Sequence, residues 1–379
     1  MIRRLMESGL RGRGGGGFPA GRKWRAVRVE GGHPVVVANG AEGEPGSVKD
    51  RFLMRTQPGR VLTGLALAAR AVGAREAIVF LKRSFAAEAR ALEGALDERA
   101  ARDLPVAIRH GDDSYVVGEE TALLESLEGR RAWPRPKPPL PSAVGLDGRP
   151  TLVQNVETLS RVPAALSDPV GYRASETTWV SLWGHVRRPG VHEVPLRTPL
   201  GRIIEDQGGG ATGAVALVFP GGPSAPPLGP EALATLLDPD ALRAAGSSLG
   251  TASMLVVGAS ADPLALALSL AAFFERESCG QCPPCVLGTG SLHRIVRGLD
   301  SDQAPAKDLV ELTEVAGFMG MHGYCAHCRM AAASVTGLVS RLRSLVAARR
   351  GSTPDLSTPT FDPFSPHSPE RAAIEAVLP

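Results

Sequence analysis

Five cysteines, all in the last third of the chain, constrain this protein more than any other sequence feature. Cys279, Cys282 and Cys285 lie within seven residues, and Cys325 and Cys328 follow about forty positions later. Thiolates spaced this closely are typical metal ligands, because one loop can wrap one side of a cluster while a fourth ligand comes from elsewhere. The group of three favours a cubane [4Fe–4S] cluster.

Two alternatives to an iron–sulfur cluster stay open from the cysteine spacing alone. Zinc is the main rival, although structural zinc usually takes two separated C-x₂-C pairs rather than a group of three. The cysteines could also be small buried hydrophobic residues or a disulfide pair. Their concentration in one region fits a metal site in a reducing compartment better than a disulfide framework.

Composition excludes several classes of protein. A length of 379 residues is enough for two or three domains, and a net charge of +3 implies no nucleic-acid partner. The N-terminal residues contain no apolar signal segment, and no run of about 18 uncharged apolar residues occurs. We therefore expect a cytoplasmic protein with no direct insertion into a membrane.

The first part of the chain alternates between strand and helix patterns. In chain order we predict a strand at Val35–Asn39, a helix over 60–73, a strand at Ala77–Leu81, a helix over Ser84–Ala101, and a strand at Leu104–Ile108. We expect the Ser84 hydroxyl to cap the second helix. This βαβα order predicts an α/β domain with a largely parallel sheet.

Three polar segments of this domain are candidates for holding a ligand. Residues 11–24 combine glycines with Lys23, so backbone N–H groups and a positive charge could hold a phosphate, although a flexible solvated loop is equally consistent. Residues 39–51 follow a predicted strand, where α/β sheets hold ligands, but an ordinary acidic turn also explains them. Glu119 and Glu120 begin a helical pattern, where the helix dipole stabilises one carboxylate and a ligand could use the other.

The rest of the chain predicts a small sheet-forming unit and then a helical region. Its predicted elements are a strand at Trp179–Val186, a hairpin arm at Val191–Val194, and helices at Thr198–Gly208, Leu264–Glu275, Gly288–Gly298, Lys307–Gly317 and Met330–Ala348. The last four helices predict a four-helix bundle, with Cys325 on a loop between helices. Residues 350–379 are rich in Ser, Thr and Pro, and we expect disorder there apart from a short helix at Glu370–Val377.

Six segments, in the same order, resemble the flavin-binding, NADH-oxidising subunit of respiratory complex I, which is the F subunit of NADH-quinone oxidoreductase. They also resemble the diaphorase subunits of NAD-linked hydrogenases and formate dehydrogenases. The segments are Gly12–Trp24, Asn39–Arg51, Gly118–Arg131, Lys137–Pro141, Asn155–Leu159, and Glu277–Cys285 with Cys325. The resemblance covers nearly the whole chain to about residue 345 and implies FMN, a [4Fe–4S] cluster and NAD(H).

The resemblance implies a fold class of α/β plus β-grasp plus all-α. We expect a Rossmann-like FMN- and NAD-binding α/β domain in residues 1–170 and a ubiquitin-like SLBB β-grasp domain in residues 171–262. An iron–sulfur-binding helical bundle would follow in residues 263–349, and the tail would occupy residues 350–379.

The same resemblance assigns roles to individual residues, none of which needs to act as an acid or a base. FMN would be held by Gly12, Gly14, Lys23, Asn39, Glu42, Tyr115, Gly118, Glu119, Asn155 and Thr158. The nucleotide side would be formed by Phe18, Glu44, Glu120 and Lys137. The cluster ligands would be Cys279, Cys282, Cys285 and Cys325.

The chain departs from the family pattern at several positions. Ala41 stands where the family usually has Asp, and Gln154 replaces the first Asn of a usual pair. Ala26 and Leu140 replace aromatic residues, and each lost stacking contact would cost about 0.5–1.5 kcal/mol. Cys328 is an additional thiol, because Cys325 alone fits the family position.

These observations predict an NADH dehydrogenase-type electron-transfer flavoprotein. Its partners would be NADH and a thioredoxin-like [2Fe–2S] subunit or a small ferredoxin, and partner subunits would hold it peripherally on the inner membrane. One alternative is a diverged FMN and iron–sulfur subunit that binds NADH weakly or not at all and serves a ferredoxin-like partner. An alternative of another class is a zinc-stabilised binding protein.

Overall fold

The computed structural model describes residues 1–98, 104–299, 306–342, 345 and 361–379. The chain forms two compact units, one of residues 1–43, 48–179 and 378–379 and the other of residues 44–47 and 180–377. A four-stranded sheet with strand order β3-β2-β1-β4 belongs to the first unit, and a second sheet has the order β6-β5-β8-β7. The predicted division into domains at 170, 262 and 349 stays a prediction.

The first unit is built on a parallel sheet, as predicted. Its strands are β1 (Val35–Asn39), β2 (Ala77–Lys82), β3 (Val106–Gly111) and β4 (Thr151–Asn155), with every paired neighbour parallel. Its helices are α1 (Ile2–Glu7), α2 (Ala20–Glu30), α3 (Lys49–Thr56), α4 (Pro58–Val72), α5 (Ala86–Glu98), α6 (Glu120–Leu127), α7 (Val156–Ser167) and α8 (Pro169–Ala174).

The burial of the strands in the core of this unit explains why their sequences are continuous apolar runs. Residues 35–38 are fully buried, as expected for a parallel sheet covered on both faces. Helices α4 and α7 pack so closely that a Cβ at Gly64 would lie 1.9 Å from the Leu159 carbonyl oxygen. Glycine is therefore required at this helix–helix contact.

The predicted cap of α5 is wrong. The helix begins at Ala86, and the Ser84 hydroxyl donates to the Asp113 carboxylate at 2.7 Å instead. The backbone N–H of Ser84 donates to the same oxygen at 3.0 Å. Asp113, on the segment after β3, accepts the hydrogen bond from this hydroxyl. The sequence around Ser84 does not include this acceptor, so a local pattern could not predict the contact. Residues 99–101 of the predicted helix lie outside the described residues.

The second sheet is mixed, as a β-grasp unit requires. It contains β5 (Thr177–Gly184), β6 (Gly190–Pro195), β7 (Val215–Phe219) and β8 (Ser253–Gly258). Strands β5 and β8 are parallel, and β7 and β8 are antiparallel. The short helices between the strands are α9 (Leu200–Asp206) and α10 (Pro239–Ala244).

Four helices of the second unit pack together as the predicted bundle. They are α11 (Pro263–Arg276), α12 (Pro283–Gly298), α13 (Ala306–His322) and α14 (Ala326–Val339). Helices α12 and α14 each begin several residues earlier than predicted, so both begin within the cysteine segments. Helix α14 also ends at Val339 rather than at Ala348, and residues 343–344 and 346–348 lie outside the described residues.

The tail contains the short helix predicted at Glu370–Val377, but the disorder predicted around that helix is wrong for the described residues 361–379. This segment packs on the second unit through Phe364, which is fully buried and lies edge-on to Phe219. Its helix α15 (Pro369–Glu375) buries Ile374, and the Ser368 hydroxyl accepts a hydrogen bond from the Arg371 backbone N–H at its start. The burial of Phe364 and Ile374 stabilises the position of a segment whose composition indicates disorder. Residues 350–360 lie outside the described residues.

Candidate functional site

The carboxyl edge of the parallel sheet has the geometry of a ligand site. The chain runs outward from β1 through β2 to β3 and then returns to place β4 on the other side of β1. In such sheets the crevice opens where the strand order changes direction. Asn39 and Asn155 end β1 and β4 in matched register, so both amides lie at this point.

The glycine loop of residues 12–18 is anchored to the start of α7. The Arg13 backbone N–H donates to the Thr158 hydroxyl at 2.9 Å, and the Gly12 N–H donates to the Phe18 carbonyl at 2.9 Å. A Cβ at Gly14 would lie 3.1 Å from the Cβ of Asn155. The predicted loop residues therefore lie against the ends of β4 and α7, and the flexible-loop alternative does not describe them.

A second contact joins β1 to the start of α6. The Asn39 side chain donates to the Gly118 carbonyl at 2.9 Å and accepts from the Ala41 backbone N–H at 3.1 Å. A Cβ at Gly118 would lie 3.0 Å from the Ala41 carbonyl oxygen. A larger residue at position 118 would push the Ala41 segment away by a few tenths of an ångström.

Two lysines and two glutamates form a compact charge cluster beside these segments. Lys23 contacts Glu120 at 2.6 Å, and Lys137 contacts Glu119 at 2.8 Å and Glu120 at 2.9 Å. Burial alone would raise the pKa of Glu120, but the two lysines outweigh it and lower that pKa to about 2. Glu119 also accepts hydrogen bonds from the backbone of Thr121 and Ala122, so it caps α6.

We call this group of residues the sheet-edge site. It comprises the glycine loop with Thr158, the amides of Asn39 and Asn155, Gly118, and the charge cluster of Lys23, Glu119, Glu120 and Lys137.

A buried ionic group supports the sheet-edge site, and sequence reasoning gave it no role. Asp50 accepts from the Asn155 amide at 2.6 Å, and Lys49 contacts Asp50 at 2.7 Å and Glu157 at 2.9 Å. Lys49 and Asp50 are at most 4% exposed. Burial raises the pKa of Asp50 to about 7, against the opposing effect of Lys49. Charged residues are normally expected at the surface, so no sequence pattern signals this group.

The remaining residues predicted to bind the flavin or the nucleotide lie outside the sheet-edge site as defined above, and their contacts are as follows. Glu42 accepts from the backbone N–H groups of Asp50 and Arg51 at 3.2 Å, so it stabilises the start of α3. The ring of Tyr115 lies beside Gly43, and Phe18 is 56% exposed. Glu44 belongs to the second unit, where it accepts from the Ser224 backbone N–H at 2.8 Å.

The cysteines lie at the starts of two bundle helices. Cys282 is the N-cap of α12, Cys285 lies in the first turn of that helix, and Cys325 is the N-cap of α14. A helix N-terminus stabilises negative charge, and thiolates at such positions are favoured. We call Cys279, Cys282, Cys285 and Cys325 the thiol site.

The thiols of this region form no disulfide bridges, and two of the proposed ligands are buried. Cys282 and Cys285 are each 3% exposed, and all five cysteines are unbridged. A hydrogen bond with Cys328, followed by burial, raises the pKa of Cys285 above its usual range, and burial raises the pKa of Cys279. Among the described residues no three His, Cys, Asp or Glu side chains converge on a single-ion site. In a cubane each thiolate binds a separate iron, so its sulfurs need not meet at one point.

Similarity to known proteins covers both sites. The Nuo51 FMN-binding domain family matches residues 5–164, and the NADH-ubiquinone oxidoreductase-F iron-sulfur binding region matches residues 265–349. NADH-quinone oxidoreductase F subunit 1 of Rhizobium meliloti (strain 1021) is 38% identical over 90% of this chain and 85% of its own length. The chain belongs to the family of NADH-quinone oxidoreductase F subunits.

A second F subunit and a solved structure are also similar to this chain. The F subunit of NADH-quinone oxidoreductase from Rickettsia bellii (strain OSU 85-389) is 37% identical over 92% of this chain and 89% of its own length. The crystal structure of an NAD⁺-reducing [NiFe]-hydrogenase in the H₂-reduced state matches with a TM-score of 0.84, 33% identity and 92% coverage of this chain. The present chain spans 62% of that hydrogenase chain.

Membership in the F-subunit family identifies the chain as an FMN- and [4Fe–4S]-binding, NADH-oxidising electron-transfer flavoprotein. The residues present fit FMN. A Cβ at Gly16 or Gly17 would have no other part of the described chain within 4 Å, so the loop has an open side, and Lys23 supplies positive charge nearby. Backbone N–H groups with a cation are the elements that hold a phosphate.

The thiol site likewise fits the iron–sulfur region of the F-subunit family. Soft thiolates on two helix N-termini are the donor set that an iron–sulfur cluster requires. The match to an iron–sulfur region favours this cluster over the zinc alternative.

Proposed function

We propose that this chain oxidises NADH at the sheet-edge site and passes the electrons singly through the thiol site to a partner protein. One observation carries the proposal: the glycine loop and the amides of Asn39 and Asn155 converge where the parallel sheet changes strand order. When bound, FMN accepts a hydride from the nicotinamide, and the [4Fe–4S] cluster accepts and releases single electrons.

The flavin-side residues act by positioning, and no proton transfer by the protein is needed. We assign the phosphate to the backbone of the loop at Gly12 and Gly14 with Lys23, and the ring to Asn39, Gly118 and Asn155. Glu42, Tyr115, Glu119 and Thr158 complete the predicted flavin set. Ala41 offers no side-chain hydrogen bond, so backbone and amide groups carry more of the ring recognition.

We assign the nucleotide side to Phe18, Glu120 and Lys137. An exposed aromatic ring at Phe18 can stack on a base or on the nicotinamide, and Lys137 offers a cation to the pyrophosphate. Two carboxylates already hold that lysine, so its position is defined before the dinucleotide arrives. For Glu44, the proposed role on the nucleotide side rests on the family resemblance alone.

The cluster ligands are proposed to be Cys279, Cys282, Cys285 and Cys325. The electrons would leave to a thioredoxin-like [2Fe–2S] subunit or a small ferredoxin, since family members are subunits of larger assemblies. Partner subunits would hold the chain peripherally at the inner membrane. In the part of the chain that the structure describes, every helix is too short or too polar to cross a membrane.

An anaerobic spectroscopic experiment tests this function. The full chain is purified, its visible spectrum is recorded, and NADH is added while flavin bleaching and the EPR signal of the reduced cluster are followed together. We expect rapid bleaching with a reduced-cluster signal. A flavin and cluster that dithionite reduces but NADH leaves unchanged would overturn the NADH assignment in favour of the diverged electron carrier. A protein without flavin and iron would overturn both redox functions.

A further inference from the structure

Arg13 is the one residue with a side chain between Gly12 and Phe18, because residues 14–17 are all glycine. It has no role in the proposed function. Arginine in a polar loop is usually exposed, yet this side chain is only 2% exposed. Its burial means that the protein, rather than solvent, surrounds the guanidinium.

The Arg13 guanidinium is held by a partly buried carboxyl group on the segment between α8 and β5. Its Nη2 donates to Glu176 Oε1 at 2.5 Å, and the Tyr172 hydroxyl of α8 donates to the same oxygen at 3.4 Å. Burial raises the pKa of Glu176, and Arg13 opposes that rise. A guanidinium stays protonated in proteins, so Arg13 remains a cation in this contact.

Arg13 is also fixed through its backbone. The Gly12 N–H donates to the Phe18 carbonyl at 2.9 Å and closes the base of the glycine loop, and the Arg13 N–H donates to the Thr158 hydroxyl at 2.9 Å. Glycine has the greatest backbone freedom of all residues, so residues 14–17 are not restricted by side chains of their own. Within the glycine loop, side-chain anchoring before Phe18 therefore depends on Arg13.

This anchoring matters for the group that the glycine loop is proposed to hold. Backbone N–H groups bind a phosphate best when they already face it, because a flexible loop loses conformational entropy on binding. The flavin ring is assigned to the amides of Asn39 and Asn155 and to Gly118, which lie outside the loop. An anchor at Arg13 should therefore act on the phosphate and not on the ring.

We propose that Arg13 is a positioning residue for FMN, whose contact with Glu176 holds the glycine loop in the form that binds the phosphate. The inference rests on the proposed function, which assigns the phosphate of FMN to the backbone of this loop. Loss of the contact should reduce the affinity for the phosphate group and leave the affinity for the ring unchanged.

A comparison of two flavins tests the proposal. The full chain, with its cluster and without flavin, is titrated with FMN and with riboflavin, which is FMN without its phosphate, and the quenching of flavin fluorescence is measured. We expect wild type to bind FMN more tightly than riboflavin. In Arg13→Gln we expect about tenfold weaker FMN binding and unchanged riboflavin binding. Arg13→Lys keeps the cation and should recover part of the FMN affinity.

Two further variants guard against an effect of folding. Arg55→Gln is the matched control, because Arg55 of α3 contacts Glu88 at 2.9 Å and their side chains are 19% and 1% exposed. This variant should bind both flavins like wild type. If Arg13→Gln does not fold, the double variant Arg13→Gln/Glu176→Gln replaces it, since neither charge is then left without its partner. The same selective loss of FMN affinity is expected.

The outcomes separate this inference from the proposed function. If wild type prefers FMN but Arg13→Gln retains the wild-type affinity for FMN, the positioning role of Arg13 is overturned and the phosphate assignment stands. Equal weakening of FMN and riboflavin binding in Arg13→Gln would also overturn it, because that result indicates a general structural role. Equal affinities of wild type for the two flavins would contradict both the phosphate assignment and this inference.

Discussion

The sheet-edge site and the thiol site are built on opposite principles. In the sheet-edge site, protein groups already hold one another: Lys137 contacts Glu119 and Glu120, and Asp50 accepts from Asn155. In the thiol site, the Cys285 sulfur has a long contact with the Ser278 hydroxyl at 3.5 Å. Sulfur is a weak hydrogen-bonding atom, so this contact contributes little stability.

The difference teaches where each region obtains its stability. A sheet whose polar residues are mutually satisfied keeps its shape without a ligand, as preorganised sites do. Buried thiols on helix N-termini gain most of their stabilisation from the metal, because the free energy of metal binding becomes folding free energy. We therefore expect loss of FMN to leave the first unit folded and loss of the cluster to weaken the helical bundle.

The strongest test of this difference between the sheet-edge site and the thiol site is to remove one thiolate and preserve the helix that carries it. Cys282→Ser keeps a good N-cap for α12 and replaces a soft ligand with a hydroxyl. We expect loss of the [4Fe–4S] EPR signal and of most iron, with the flavin content unchanged. Iron analysis and flavin absorbance on the same sample provide the measurement and its internal control. A variant with four irons and an unchanged EPR spectrum would show that Cys282 is no ligand.

The buried ionic group of the first unit should appear as a pH dependence of stability. The pKa of Asp50 is about 7 when folded and has an ordinary value of 3.8, so the folded state binds more protons between these values. The free energy of unfolding therefore falls as pH rises through that window. In Asp50→Asn we expect the decline to lessen by on the order of 3 kcal/mol, as measured by urea unfolding across the window.

A second aspartate provides the control for this measurement. Hydrogen bonds from Ser84 outweigh burial and hold the pKa of Asp113 below its ordinary value. Asp113 therefore contributes to the free energy of unfolding above the pKa that it has in the unfolded chain, and this contribution is lost only in acid. Asp113→Asn should leave the slope between about pH 4 and pH 7 unchanged. Equal slopes in wild type and Asp50→Asn would contradict the role given to Asp50.

The close approach at Gly118 tests how preorganised the sheet-edge site is. In Gly118→Ala the added methyl would lie 3.0 Å from the Ala41 carbonyl oxygen, so this segment must shift by tenths of an ångström. We expect FMN to bind about tenfold more weakly, equal to about 1.4 kcal/mol. Fluorescence titration of the apoprotein with FMN measures this change.

Gly94→Ala adds the same methyl to the exposed side of α5, where no neighbouring group of the described residues lies within 4 Å. This control should bind FMN like wild type and be more stable by about 0.5–1 kcal/mol. Unaltered FMN affinity in Gly118→Ala would mean that the contact with Ala41 does not shape the flavin site.

The smallest expected effect concerns position 140, where this chain has leucine and the family pattern has an aromatic residue. This side chain is 54% exposed, so a phenylalanine can be placed there without crowding the core. We expect Leu140→Phe to lower the KM for NADH by a factor of about 2 to 10, corresponding to 0.5–1.5 kcal/mol of stacking. Val170→Phe, at a position that is 78% exposed on α8, is the matched control. An equal KM in both variants would remove Leu140 from the nucleotide side.

Local patterns predicted much of the fold, and their failures have physical causes. The apolar run Val35–Ala38 follows Pro34 and is followed by the polar Asn39, so β1 was predicted with its observed limits. The start of α5 was wrong because Asp113, far along the chain, accepts from Ser84. The short helix of the tail was predicted, but the order of the residues before it was missed, because composition does not reveal the hydrophobic surface on which Phe364 packs.

The sequence by itself determined which chemical groups the protein has and in what order: the thiol spacing, the glycine loop and the strand–helix alternation. Each depends on neighbours along the chain, so residue types and spacing are sufficient. Only the tertiary structure decided that Asp50 accepts from Asn155, 105 positions away, and that the Cys328 thiol donates to the Met319 carbonyl. Those contacts arise from how strands and helices pack, and the free energy of burying charges and thiols together has no signature in local sequence.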